Sequence, residues 1–204
     1  MDSNMYIMIE DNDAIMIDPH FNEDAVELLL HHCVKNIYIL LTHEHFDHVS
    51  GVSAYDMFDT KLVAQKCCKN VLENPNNKIH SRFAATFIGA DDCMRNNIRK
   101  VCAKQVLRQV DQSFDKELCF LWHNHRIEMY ATPGHSPGSA CIIVDDEMLF
   151  TGDSLIPGLD VITRFPGGNR EIYEEITKKY LIALDKELIV YPGHGEKQKL
   201  GEIL

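Results

Sequence analysis

Positive charge is scarce in this chain: 20 Lys and Arg stand against 31 Asp and Glu, a formal charge of −11 over 204 residues. Such a balance repels phosphate backbones and anionic lipid, and neither a basic stripe nor an RNA-binding signature appears, so no nucleic-acid or membrane partner is expected. No uncharged apolar run reaches the roughly 20 residues that span a bilayer. The opening Met1-Asp-Ser-Asn-Met-Tyr-Ile lacks the basic-then-apolar pattern of a secretory leader, which implies a soluble, cytoplasmic protein. The seven cysteines (Cys33, Cys67, Cys68, Cys93, Cys102, Cys119 and Cys141) are odd in number, scattered and never spaced Cys-x-x-Cys. That argues against zinc ribbons and disulfide frameworks and for reduced thiols; the adjacent Cys67 and Cys68 read as part of an amphipathic helix rather than a redox switch. Repeats, low-complexity tracts and linkers are missing too. With 45% hydrophobic residues, one domain over 1–204 with a substantial core is expected.

What the chain does have is a set of potential metal ligands placed after apolar runs. His43, His45, Asp47 and His48 follow Ile37 to Leu41, His135 follows Ile127 to Ala131, Asp153 follows Met148 to Phe150, and His194 follows Leu188 to Tyr191. Each run reads as a strand, so four strand ends deliver ligands to one edge of a sheet structure. Pro133-Gly134, Gly152 and Pro192-Gly193 allow the sharp turns and close backbone approach that such an edge requires.

The remaining patterning alternates strand and helix, which indicates α/β layers. A hairpin is expected about Glu10-Asp-Asn-Asp13. Asn22 caps a helix through His32 with Ala25, Val26, Leu28 and Leu29 on its apolar face. After strand 37–41 come a short helix at 50–58, a strand at 61–64 and a helix at 66–73. Residues 75–110 break the rhythm; a helix is expected at 92–108, and the segment is a candidate lid, pocket wall or, from its Met, Ile and Val content, homodimer contact. Strands return at 117–122, 126–131, 139–144 and 148–151, with His123 and His125 at a hairpin tip. Asn169 caps a helix to Leu184 with Ile172, Ile176 and Tyr180 at spacings of four.

The ligand chemistry divides naturally. His43 and His45 are placed to share one ion with His135, Asp47 and His48 to share a second with His194, and Asp153 is suited to bridge them. Imidazoles and carboxylates without thiolate suit two zinc ions and also permit iron or manganese. Two such cations would bring a bridging water near neutral pKa, giving a hydroxide to attack a carbonyl, with Asp47 and Asp153 as the catalytic carboxylates.

Thr42-His-Glu-His-Phe-Asp-His48, Thr132-Pro-Gly-His-Ser-Pro-Gly138, Thr151-Gly-Asp-Ser154 and Pro192-Gly-His-Gly195 resemble the ordered motifs of the metallo-β-lactamase superfamily. Asp18-Pro19 and Arg164-Phe-Pro-Gly-Gly168 resemble its hydroxyacylglutathione hydrolase (glyoxalase II-like) branch, although His20 stands where relatives commonly have glycine and only nine residues follow Gly195. The resemblance implies a four-layer αββα sandwich with the metal site at one edge, and the same ligand division. Thr42, Thr132 and Asp18 are expected to orient the ligands, and Arg164 and Asn169 to contact an anionic substrate. The expected activity is hydrolysis of a small thioester, ester or lactone. The alternatives are an iron-dependent persulfide dioxygenase-like oxidoreductase and, against the charge, a metal-dependent nuclease.

Overall fold

Strand alternation sets the architecture. The computed structural model describes residues 3–79 and 107–204. Strands β1 (Tyr6–Glu10) and β2 (Asp13–Ile17) form an antiparallel hairpin turned at Asp11 and Asn12, with Asp11 at φ 52. β3 (Asn36–Leu40), β4 (Asp59–Gln65) and β5 (Gln112–Phe114) add in parallel, in the order β1-β2-β3-β4-β5. A second sheet runs β11-β10-β9-β8-β7-β6, built from β6 (Glu117–Trp122), β7 (His125–Ala131), β8 (Ala140–Val144), β9 (Met148–Gly152), β10 (Ile189–Pro192) and β11 (Gln198–Lys199). Its neighbours are antiparallel except for the β9–β10 pair.

Successive strand side chains point to opposite faces, and here both faces are apolar. Ile15, Ile17, Leu40 and Val63 of the first sheet meet Ile127, Met129, Ile142, Val144 and Phe150 of the second. On the outer side of the first sheet, Ala14, Met16, Ile37 and Ile39 pack against Ala25 and Leu29 of helix α1 (Glu23–His31) and Cys68 and Leu72 of α3 (Lys66–Leu72). On the outer side of the second, Cys141, Ile143, Leu149 and Val190 pack against Leu181 of α5 (Lys178–Ala183) and Leu200 of α6 (Leu200–Ile203). The result is the expected αββα sandwich.

Three local expectations change. Residues 50–58 form successive turns, with bonds from Val52 N to Val49 O, Ala54 N to Gly51 O and Phe58 N to Tyr55 O that skip three residues rather than four. The helix at this point is α2 (Phe46–Val49), which carries Asp47 and His48; it ends because Gly51 N donates to Pro19 O. Second, the helix capped by Asn169 starts as α4 (Arg170–Ile172), widens to a π-helical turn at Tyr173–Thr177, and continues as α5. Its buried stripe is Tyr173, Thr177 and Leu181, one residue on from the expected one, while Ile172 and Ile176 are exposed. Third, β5, β11 and α6 carry too little periodicity to be read from sequence. Cys67 and Cys68 do lie on α3, with Cys68 buried. Residues 92–106 of the helix expected at 92–108, most of the 75–110 excursion, and Cys93 and Cys102 fall outside the described residues, while Leu107 and Arg108 are not helical. Among those described, no helix is long and apolar enough to cross a membrane.

Candidate metal centre

The loops after β3, β7, β9 and β10 meet at one edge of the sandwich. β7 runs antiparallel to β8, β8 antiparallel to β9, and β9 parallel to β10, so three strands of the second sheet end on the same side. All seven residues proposed as ligands from sequence are brought together there.

They fall into two groups. His43, His45 and His135 offer ring nitrogens that lie mutually within 4.8 Å, as do atoms of Asp47, His48 and His194. In the first group His43 Nε2 is 3.1 Å and His135 Nε2 2.9 Å from His45 Nδ1. Their protonation follows from their other contacts. His135 Nδ1 donates to Ile162 O at 2.7 Å, leaving Nε2 a lone pair. Thr42 has one hydroxyl proton and gives it to Asp18 Oδ2, so at 3.1 Å its oxygen accepts from His43 Nδ1 and His43 Nε2 is also a lone pair. His45 Nδ1 therefore faces two lone pairs, and a single proton cannot serve both. A cation shared by the three nitrogens would satisfy them all, and separations of 2.9 and 3.1 Å suit nitrogens that bind one zinc ion.

Electrostatics agree. Burial lowers all three: His43 sits well below the ordinary imidazole value, His45 falls to about 3, and His135 is lowered, with neighbouring imidazoles adding to the effect. Neutral imidazole is the metal-binding form.

The second group carries its own carboxylates. Burial disfavours a charged His48, but Asp153, Asp47 and Asp18 outweigh it and hold that imidazole well above its usual value. Contact with Asp47 raises His194. Burial pushes Asp47 and Asp153 up, yet the imidazolium charge of His48 keeps both below the ordinary carboxylate value. Asp47 Oδ1 is buried without a hydrogen-bond partner, and His48 Nε2 and Asp153 Oδ1 meet each other at 3.4 Å; such atoms call for an ion or a water. A divalent cation competes with the proton for His48 Nε2.

Asp153 stands between the groups. Its Oδ2 lies 3.6 Å from His135 Nε2 and 3.6 Å from His194 Nε2, and its Oδ1 3.4 Å from His48 Nε2. Asp18, at φ 51 just past β2, reaches into both groups: Oδ1 accepts from Thr42 N at 2.7 Å, and Oδ2 accepts from Thr42 Oγ1 and from His48 Nδ1, the latter at 2.8 Å. The Thr132 hydroxyl lies 3.5 Å from both Cys141 Sγ and Ser154 Oγ, neither of them a candidate ligand.

Of the two residues expected to contact substrate, Arg164 is exposed and stands over the Phe165 ring, 5.6 Å from its centroid. Asn169 spends its side chain capping α4, where Oδ1 accepts from Ile172 N at 3.0 Å. Two residues had no role assigned from sequence. Phe165 lies edge-on to His45 and His135 at 5.7 and 6.1 Å. Glu44, inside the ligand motif, is wholly buried, and burial pushes its carboxyl up despite bonds from Ser136 and Gly138.

Comparison with known proteins is consistent with this geometry. The family model described as the metallo-beta-lactamase superfamily matches residues 1–194. A probable metallo-hydrolase of Streptococcus pyogenes is 27% identical over 195 residues, covering 94% of this chain and 78% of that protein. A hydroxyacylglutathione hydrolase of Pelagibacter ubique is 24% identical over 198 residues, covering 95% of this chain and 66% of that enzyme. Among solved structures, the BLEG-1 B3 metallo-beta-lactamase superposes with a TM-score of 0.78 at 24% identity, covering 98% of this chain and 90% of that one. The di-iron-bound form of TTHA1623 superposes with a TM-score of 0.67 at 24% identity and the same coverage.

Proposed function

Because this chain belongs to the metallo-β-lactamase superfamily, we propose that it is a dinuclear metal-dependent hydrolase of the glyoxalase II-like branch, acting on a small thioester, ester or lactone. The observation that carries the reading is Asp153, whose two oxygens lie 3.4–3.6 Å from His48, His135 and His194 and so join the two ligand groups. His43, His45 and His135 would hold one divalent ion, Asp47, His48 and His194 the other, and Asp153 both; zinc suits this donor set. Ions bound there supply an activated water and Lewis-acid stabilisation of a carbonyl oxygen.

The chain's own residues do the rest. Asp18 holds His48 with Nδ1 protonated and, through Thr42, holds His43 likewise, so that both present Nε2 to the centre. Asp47 is placed to accept a proton at its buried Oδ1. Phe165 walls the three-histidine group and limits its access to water, and the exposed Arg164 beside it offers a cation to an anionic substrate. The names of the Streptococcus pyogenes and Pelagibacter ubique relatives support hydrolysis, the second also the thioester class.

Elemental analysis of protein purified without added metal, followed by a panel of thioesters, esters and lactones, tests the reading. Two zinc ions per chain are expected, with turnover that falls to background in Asp153→Ala and His135→Ala proteins of unchanged fold. Undiminished turnover in those variants sinks the mechanism. One iron per chain with oxygen uptake on a glutathione persulfide would replace it with the dioxygenase.

A further inference from the structure

The three histidines of the first group come from different sheets: His43 and His45 from the loop after β3, His135 from the loop after β7. His45 Nδ1 and His135 Nε2, 2.9 Å apart on separate loops, need something that sets the distance between those loops. Glu44 stands where that happens. It lies between His43 and His45 in sequence and is completely buried. Its Oε2 accepts from Ser136 Oγ at 3.0 Å and its Oε1 from Gly138 N at 3.3 Å, so it grips the residue next to His135 and the turn beyond it.

Its receptor is built for it. Ser136 is buried and fixed in turn, its N donating to Ser139 Oγ at 3.1 Å and its Oγ 2.9 Å from Ser139 Oγ. Gly138 leaves the space: a Cβ there would overlap Glu44 Oε2 and come within 2.5 Å of Cys68 N. Burying a carboxylate is costly unless donors meet it. An apolar residue would fill this position without that cost, but it would not hold the second loop.

We propose that Glu44 is a positioning residue that locks the His43–His45 loop to the His135 loop, at the spacing where three nitrogens share one ion. Its oxygens face Ser136 and Gly138, and it contributes through them. This assignment rests on the metal-centre reading of the site and is independent of which substrate is turned over.

Cobalt(II) is the probe, since its visible spectrum reports coordination without turnover. Wild type, Glu44→Gln, Glu44→Ala and Ser136→Ala are stripped with chelator, checked for fold by circular dichroism, and titrated with cobalt(II) against a competing chelator. Glu44→Ala and Ser136→Ala are expected to bind one of the two ions roughly 10- to 100-fold more weakly, with an altered spectrum for that ion. Glu44→Gln is expected to hold both near wild-type strength, because its amide oxygen accepts from Gly138 N while its NH₂ donates to Ser136 Oγ. The assignment is overturned if folded Glu44→Ala or Ser136→Ala binds both ions with wild-type competition and spectrum, or if Glu44→Gln loses as much as Glu44→Ala. Ser136→Ala removes a single hydroxyl, so the comparison stands even where Glu44→Ala does not fold. Failure of the hydrolase panel is read separately, because no arm here requires a substrate.

Discussion

Asp18 does more for the centre than its position outside the ligand motif suggests. One carboxylate fixes the tautomer of a histidine in each group, His48 directly at 2.8 Å and His43 through the Thr42 hydroxyl. Removing it leaves His48 Nδ1 and Thr42 N buried without their acceptor and both rings free to turn, so both ions should weaken. Asp18→Ala is expected to lower activity roughly 10- to 100-fold with reduced metal content, as measured by kinetics alongside elemental analysis; full metal occupancy with full activity would refute the argument. The candidate ligands and their meeting at one edge were legible in the sequence because each group follows a strand. The tautomers were not, because they depend on partners as distant in sequence as Asp18 from His48 and Ile162 from His135. The cap at Asn169 is local by contrast, its side chain accepting from Ile172 N three residues on.

Elements place these residues through their ends. The π-helical turn at Tyr173–Thr177 lies against the His135 loop: Thr177 Oγ1 donates to Pro133 O at 2.6 Å, and Gly134, at φ 137, has Tyr173 Cβ 2.5 Å from where its own Cβ would stand. That packing explains why the buried stripe is Tyr173, Thr177 and Leu181 and not the more apolar Ile172 and Ile176. Away from the candidate centre, turns tie the two sheets together. His125, opening β7, sets Nδ1 2.5 Å from Asp145 in the β8–β9 turn and Nε2 3.3 Å from Glu10 at the end of β1. The bond to Asp145 raises His125 above 6.5, and although burial opposes it, the same bond holds Asp145 below 3.8. For the raised imidazole, the stabilisation is complete below about pH 6.5 and is lost as pH climbs through the folded value. For the depressed carboxylate it is present above about pH 3.8 and lost as pH falls through its folded value. Chelated wild-type protein is therefore expected to lose more melting temperature than His125→Gln between about pH 6 and about pH 9. Taking the difference cancels the titration of His48 and His194; identical slopes would show that the contact contributes nothing.

At the scale of the whole molecule, charge and the proposed metal ions are linked. The chain carries a formal −11, and three carboxylates with little exposure, Asp18, Asp47 and Asp153, converge on the edge where the loops meet. Ions that bind the folded chain and not the unfolded one stabilise it by about 2.7 kcal/mol per site at 100 times the dissociation constant. For a chain of this size that is a rise in melting temperature of roughly 5–10 °C per site. Differential scanning calorimetry with zinc and with chelator is expected to show such a rise in wild type and a smaller one in Asp153→Ala. A melting temperature insensitive to zinc in the wild type would count against an ordered dinuclear centre.

The sequence alone determined the alternation of strand and helix and the candidate edge, because strand periodicity, turn residues and ligand types are local properties. It determined the caps at Asn22 and Asn169 for the same reason. The αββα layer order came only from the resemblance of its motifs to the metallo-β-lactamase superfamily. Only the tertiary structure decided that residues 50–58 form turns rather than a helix, since Gly51 bonds to Pro19 across the chain. It alone decided which face of the Asn169 helix is buried, which nitrogen each histidine presents, and that Glu44 grips Ser136 and Gly138. Those outcomes depend on groups far apart in sequence meeting in a low-dielectric interior, where each buried polar atom must find a partner.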